Sequence, residues 1–321
     1  MRRTGVSLSI SVFFILLVTS CYFFTSGYNN LRYAHISPYL TDTQELPDNG
    51  TGFTAAAAAG YLYVLGEVDE TPVLFRTAEE EWSWESFSIP DSVFDLDSVW
   101  DGTDYSGSLF GYAFQNAAGN IVFMDDSSNT VFEFNGTSVL EKEVDSGYSF
   151  SFGGEDYRMS ANSDGISITD VASFTDVVAD LPADSGYTFS DYSIFAGSDG
   201  TSLFILSWIE TENIFSADYS DLKLLVLPLD SMASWPSLEY PYGGEDVLFE
   251  SYIGMKGVST FSIGLDRIWT RSWDTSYFFS TSGELLIDAS TAGIDNNCAF
   301  SQTTGKLYFV NGSEVYEYTL P

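Results

Sequence analysis

A short unit recurs along the chain: a glycine, one variable residue, then four apolar residues. It reads Gly60-Tyr-Leu-Tyr-Val-Leu65, Gly119-Asn-Ile-Val-Phe-Met124 and Gly305-Lys-Leu-Tyr-Phe-Val310. Gly200-Thr-Ser-Leu-Phe-Ile-Leu206 is the same unit with one residue inserted, and Gly165-Ile-Ser-Ile168 and Gly264-Leu-Asp-Arg-Ile-Trp269 are looser copies. Several of these glycines follow turn-forming neighbours, such as Ser198-Asp199 and Thr303-Thr304. A glycine adopts positive φ without steric cost, so each unit reads as a tight turn entering a strand. Two copies continue alike. Residues 119–134 and 305–318 both pass through a polar turn into Val131-Phe-Glu-Phe134 and Val315-Tyr-Glu-Tyr318. A hairpin repeated at that distance points to an architecture assembled from a recurring small sheet.

The segments between these units agree. Tyr148, Phe150 and Phe152 alternate with Ser149 and Ser151, the period of two of a half-buried strand. No window carries a convincing amphipathic helix; Ala55 to Ala59 has helical propensity but runs straight into a strand-like segment. The chain reads as all-β. Its glycine anchors, at 60, 119, 165, 200, 264 and 305, are 59, 46, 35, 64 and 41 residues apart. Such spacing, scattered around the mid-forties, suits radial repetition of four-stranded units. Over roughly residues 52–320 the chain resembles the β-propeller superfold, which implies six or seven four-stranded blades. It matches no named propeller family. The Gly-His…Trp-Asp signature of WD repeats is missing, since His35 is the only histidine, and no copy carries the full sialidase-type aspartate box. Leu265-Asp-Arg-Ile-Trp-Thr270 is similar to the Tyr-Trp-Thr-Asp repeat of receptor propellers, but it occurs once and Arg271 replaces the aspartate. A β-sandwich pair is the alternative architecture. An outer-membrane barrel fits less well, because many runs are only five or six residues long.

The N-terminus addresses location. Arg2-Arg3 precede an uncharged run from Thr4 to Ser20, which ends in Leu17-Val-Thr-Ser20 before Cys21. The cationic start and short apolar run form a secretory signal. The residues before Cys21 resemble the lipobox of bacterial lipoproteins, with Val at a position where Leu is commoner. That resemblance implies removal of residues 1–20 and acylation of Cys21, which would anchor the chain in a membrane of the bacterial cell envelope. The other readings are an ordinary cleaved signal or an uncleaved anchor. Residues 21–51 are polar, with Ser26-Gly27 and Asn29-Asn30, and read as a tether. Residues 52–321 are left as the folded domain.

Charge excludes some partners. The chain has 11 Lys and Arg against 46 Asp and Glu, a net charge of −35. Losing Arg2 and Arg3 leaves 11 − 2 = 9 cations and a charge of 9 − 46 = −37. Such a surface repels nucleic-acid phosphates and anionic lipid, so the membrane is reached through the lipid and not through a basic patch. Hydrophobic content of 45%, with 17% aromatic, is enough for a large core.

Catalytic residue types are scarce. With His35 in the tether, the domain has no histidine for a triad or a zinc site. Cys298 reads as a buried core thiol; a bridge to an unmodified Cys21 is conceivable, but nothing in the spacing supports it. Gly153-Gly-Glu-Asp156 and Gly243-Gly-Glu-Asp246 read as matching turns, since their carboxylates would repel a phosphate. Carboxylates are plentiful, but no pair stands out for glycoside hydrolysis. Asp95, Asp97, Asp101 and Asp104 form the best metal candidate, for calcium, although Val99 stands where a third ligand of the usual order would be. No other cofactor is expected. Glu79-Glu80-Glu81 read as an exposed turn, with Trp82 and Trp84 after them on one face of a strand. Trp235, Tyr240 and Tyr242 lie in a loop-like segment and are candidate ligand-binding aromatics. The expectation is a non-catalytic scaffold that binds a protein or glycan partner. A carboxylate-based glycoside hydrolase and a structural envelope component are the alternatives.

Overall fold

The computed structural model describes residues 37–320, apart from 91, 95–109, 126–128, 142–146, 163–164, 182–191, 210–222, 238–246, 249–257, 273–275 and 295–297. These residues form six four-stranded antiparallel sheets, arranged as the blades of a β-propeller. The sixth blade joins the two ends of the described chain. Its outermost strand is β1 (Leu40–Glu45). Blade 1 follows as β2 (Thr51–Ala58), β3 (Tyr61–Val68), β4 (Thr71–Ala78) and β5 (Glu85–Ser88), and blade 2 as β6 (Tyr112–Gln115), β7 (Ile121–Met124), β8 (Thr130–Phe134) and β9 (Val139–Leu140). Blade 3 is β10 (Tyr148–Phe152), β11 (Glu155–Asn162), β12 (Gly165–Asp170) and β13 (Thr175–Leu181). Blade 4 is β14 (Tyr192–Ser198), β15 (Ser202–Ile209), β16 (Lys223–Pro228) and β17 (Val247–Leu248). Blade 5 is β18 (Val258–Gly264), β19 (Arg267–Ser272), β20 (Tyr277–Ser280) and β21 (Leu285–Asp288). Blade 6 is β22 (Ala299–Phe300), β23 (Leu307–Asn311) and β24 (Glu314–Tyr318), with β1 paired antiparallel to β24. Among the described residues no helix is long and apolar enough to cross a membrane.

Ring closure alters the expected domain boundary. Residues 40–45, assigned by composition to the tether, are the fourth strand of blade 6. Leu40-Thr-Asp-Thr-Gln-Glu45 has no apolar alternation because an outermost strand packs lightly; its residues alternate only between half-buried and exposed. Its register comes from β24, with Gln44 opposite Val315 and Glu45 opposite Glu314. Nothing in the segment's own pattern announces a strand.

Four glycine anchors stand where expected. Gly60, Gly119, Gly200 and Gly305 have positive φ in the turns between first and second strands of blades 1, 2, 4 and 6. The two looser copies differ. Gly165 opens β12, one strand late, and the corresponding turn of blade 3 is Gly153-Gly154. Gly264 ends β18, and the turn proper is Leu265-Asp266. A Cβ on Gly264 would stand 2.6 Å from Gln302 Cα, so this glycine serves the close approach of blades 5 and 6.

The residue after the glycine pairs with a fixed place on the third strand. In blade 2, Asn120 Nδ2 donates to Glu133 Oε1 at 2.6 Å. In blade 6, Lys306 Nζ lies 3.0 Å from Glu317 Oε1. In blade 1 the same two positions are Tyr61 and Arg76, whose guanidinium lies 5.1 Å from the Tyr61 ring centroid. The glutamate shared by blades 2 and 6 is thus a staple between the second and third strands, and blade 1 makes the link with Arg76 and Tyr61 instead.

The cores lie between blades. Leu62, Val64 and Phe75 of blade 1 pack with Tyr308, Val310 and Val315 of blade 6. The other side of blade 1, Tyr63, Leu65 and Leu74, packs with Phe123, Phe132 and Phe134 of blade 2. Blades 3 and 4 meet through Ile166, Ile168, Leu203 and Ile205, and blades 5 and 6 through Trp269, Phe278, Leu307 and Phe309. Blades 1 and 6 meet at one interface, and in blades 1, 2, 4 and 6 the second strand carries a continuous apolar run, whereas β11 and β19 mix polar and apolar residues.

Glu79 departs from expectation. It is buried, while Glu80 and Glu81 are exposed. Its carboxylate accepts from Thr304 Oγ1 at 2.9 Å and from Ser301 Oγ, linking blade 1 to the first turn of blade 6. Trp82 and Trp84 precede β5 and do not lie on it; they pack half-buried against the same inter-blade core. A run of three glutamates reads as solvated from sequence because its partners lie more than 200 residues away.

Candidate functional site

The inner strands converge on an axial channel of about 420 Å³. Residues from all six blades line it, from Ala55–Ala59 of blade 1 to Ala299 and Phe300 of blade 6. That volume falls within the usual range for small-ligand sites.

Its walls differ. Blade 1 contributes the alanine run, which sequence propensity alone reads as weakly helical. These small side chains pack against the two neighbouring blades. Ala55 packs toward blade 6 and Ala56 toward blade 2, the alternation of a strand. Tertiary position here overrides propensity.

Next around the ring, blades 2 and 3 present aromatics. Tyr112 and Phe114 of β6 are stacked at 6.4 Å, Tyr112 and Tyr148 of β10 at 4.9 Å, and Tyr148 and Phe150 at 6.1 Å. Phe150 continues to Tyr157 at 5.7 Å, which makes a row of five near-parallel rings. Residues two apart on one strand share a face, and Tyr112 and Tyr148 join the two blades. The row is pinned by polar bonds. Ser149 N donates to the Tyr112 hydroxyl at 3.0 Å, and Ala117 N donates to Asp156 Oδ1 at 2.8 Å across the same boundary. Burial, reinforced by the neighbouring Tyr112 and opposed by a backbone hydrogen bond from Ser198, pushes the Tyr148 hydroxyl well above its ordinary pKa. It stays protonated at neutral pH and can donate to a ligand oxygen.

The mouth is polar. Gln115, Asp199 and Gln302 stand there exposed, and Gln302 Nε2 donates to Ser198 O at 2.7 Å. Asp199 Oδ1 is occupied by its own turn, accepting from Thr201 N at 2.9 Å and Ser202 N at 2.8 Å. Among the described residues Asp199 is the one carboxylate lining the channel.

Of the residues singled out by sequence, Cys298 borders the channel and most of the others fall outside the described residues. Cys21, His35, Asp95, Asp97, Asp101, Asp104, Tyr240 and Tyr242 are outside the described residues, as is Gly243-Gly-Glu-Asp246. Trp235 falls in the 3-10 helix Leu229–Ser237. Cys298 is buried between blades 5 and 6, where its carbonyl accepts from Trp269 Nε1 at 3.2 Å. Among the described residues no group of three or more His, Cys, Asp or Glu side chains is disposed to hold a metal. The channel residues were missed, yet a signal existed. Tyr-x-Phe at 112–114 and 148–150 stands directly upstream of a glycine turn, which marks an inner strand once the phase of the repeat is known.

No protein-family profile and no curated protein sequence matches the chain. Solved structures resemble it distantly. A gluconolactonase from Xanthomonas campestris is 13% identical, with a TM-score of 0.42 over 90% of this chain and 93% of that one. YCF48 from Cyanidioschyzon merolae is 10% identical, with a TM-score of 0.41 over 87% and 99%. The extracellular domain of a one-component system from B. thetaiotaomicron is 9% identical, with a TM-score of 0.37. This chain aligns over 89% of its own length and spans 42% of that protein. Likeness at this level carries no argument about ligand or activity; the chain is a six-bladed β-propeller on its own strand pairing.

Proposed function

We propose that this chain is a cell-envelope lipoprotein, anchored through Cys21, whose propeller binds an uncharged glycan in its axial channel without cleaving it. The observation that carries this reading is the asymmetric channel: an alanine stretch on blade 1 beside Tyr112, Phe114, Tyr148 and Phe150 on blades 2 and 3, with amides at the mouth. Sugars present apolar ring faces that aromatics cover, and hydroxyls that Gln115, Gln302 and the Tyr148 hydroxyl can meet. Glycoside hydrolysis calls for two opposed carboxylates, and the described lining supplies Asp199. The lipobox-like residues before Cys21 support the anchor.

Titration calorimetry with neutral envelope oligosaccharides tests the site. The wild type should bind, and Tyr112→Ala or Tyr148→Ala should each weaken binding about tenfold, a loss of about 1.4 kcal/mol. Unchanged affinity in both variants, or release of reducing ends from the sugar, would contradict the reading. Cys21→Ala should in turn free the chain from the membrane fraction, and its retention there would remove the lipid anchor.

A further inference from the structure

Tyr61, Leu140, Phe174 and Leu265 are the large hydrophobic side chains exposed among the described residues. Topology places all four on one face of the disc. In an antiparallel blade, the turns after the first and third strands lie at one end, and the turn after the second lies at the other. Leu265 is in the first turn of blade 5, and Tyr61 opens β3 just after the first turn of blade 1. Phe174 is in the third turn of blade 3, and Leu140 directly follows the third turn of blade 2. Bonds between blades show that these ends share a face. The first turns of blades 2 and 3 are joined by Ala117 to Asp156, those of blades 6 and 4 by Gln302 to Ser198, and Glu79 in the third turn of blade 1 reaches Thr304 in the first turn of blade 6.

Two of these residues sit against backbone preference. Phe174 has φ 55° and is 83% exposed, and Leu265 has φ 51° and is 59% exposed. The left-handed region favours Gly, Asn or Asp, and a bulky side chain there costs about 1–2 kcal/mol. Neither residue recovers that cost by burial. Strain without packing points to a use outside the fold.

Charge narrows the partner. Glu80, Glu81, Glu155, Asp199, Asp266 and Glu284 are exposed on the same face. Of the cations close to it, Arg76 and Lys306 are paired with Glu85 and Glu317, and Arg267 directly follows Asp266, so carboxylates outnumber cations there. Such a field repels a second copy and an anionic bilayer, and draws in a cation. We infer that this face docks a basic polypeptide bearing apolar side chains, with Phe174 and Leu265 as anchors and the surrounding carboxylates steering its approach. The glycan reading rests on Tyr112 and Tyr148 and this docking on Phe174 and Leu265, so either can fail alone.

The test uses the full chain and two probes at moderate salt: a helical peptide of Lys and Leu with one apolar face, and polylysine of equal charge. The Lys/Leu peptide should bind about tenfold more tightly than polylysine. Phe174→Asn combined with Leu265→Asn should remove that advantage and leave the thermal midpoint unchanged or higher, because Asn tolerates positive φ. Equal binding of both probes, or undiminished binding by the double variant, would overturn the inference. Self-association lost in the double variant would assign the face to a second copy and overturn it as well. Uptake onto neutral phosphatidylcholine vesicles through the same two residues would assign it to a membrane, with the same consequence.

Discussion

Blades 2 and 6 share a hairpin and differ in nearly everything attached to it. Both read Gly-x-apolar into Val-aromatic-Glu-aromatic, and both take the same register, with Val122 opposite Glu133 and Tyr308 opposite Glu317. In blade 2 the glutamate meets two neutral amides, Asn116 and Asn120, at 2.7 and 2.6 Å. In blade 6 it meets the Lys306 ammonium and the Thr41 hydroxyl of β1, each at 3.0 Å. The inner strands diverge further. Blade 2 offers Tyr112-Ala-Phe-Gln115 to the channel, whereas β22 is Ala299 and Phe300 alone. Second and third strands therefore hold the scaffold constant, while inner and outer strands vary. The inner ones shape a binding channel, and an outer one closes the ring.

The glutamates offer the widest separation between the two blades. Glu317→Ala strands a partly buried ammonium, because Lys306 is a quarter exposed and Glu317 nearly buried. Loss of about 3 kcal/mol is expected in denaturant unfolding. Glu133→Ala leaves two amides short of an acceptor and should cost about 1 kcal/mol. Equal losses would mean that the charge on Lys306 is well solvated and the two staples are equivalent.

A smaller effect separates the blades at high pH. The place held by Val122 in blade 2 is Tyr308 in blade 6 and Tyr63 in blade 1. Burial pushes the Tyr63 hydroxyl up to about 12, against the opposing pull of Arg76. Burial first, and then Glu79, pushes Tyr308 up as well. Because the folded values lie above the unfolded one, the stability tied to these protonated hydroxyls is fully present below pH 10.0. It is lost as pH rises toward about 12 for Tyr63. Between mildly alkaline and strongly alkaline solution, Tyr63→Phe and Tyr308→Phe should each reduce the loss of stability by on the order of 1 kcal/mol. A pH profile identical to wild type would show that these hydroxyls reach water in the folded chain.

The same division explains what was legible in the sequence. Gly60, Gly119, Gly200 and Gly305 reported their turns because positive φ has few occupants, and the four apolar residues after them are buried on both faces. Those second strands gave away the repeat and the blade. Inner and outer strands answer to position instead. Ala55 to Ala58 form an inner strand between blades 6 and 2, although helical propensity favours the other state. Leu40 to Glu45 pair at an edge, which needs a neighbour and no hydrophobic pattern of its own. Gly165 looked like an anchor because a turn glycine before Ile-Ser-Ile168 is the same local signal after the second strand as after the first. The channel row was visible as Tyr148-Ser-Phe-Ser-Phe152, but only the ring brings Tyr112 within stacking distance of Tyr148.

Closure of that ring by β1 underlies the channel, since without it blade 6 loses its outer strand and the sixth wall its support. Amide hydrogen exchange of the full chain tests it most directly. The ladder amides of residues 42–45 should be protected to within about tenfold of those of β24, their pairing partner. Exchange of residues 42–45 at the rate of an unstructured peptide, with β24 still protected, would show an open ring and contradict the account.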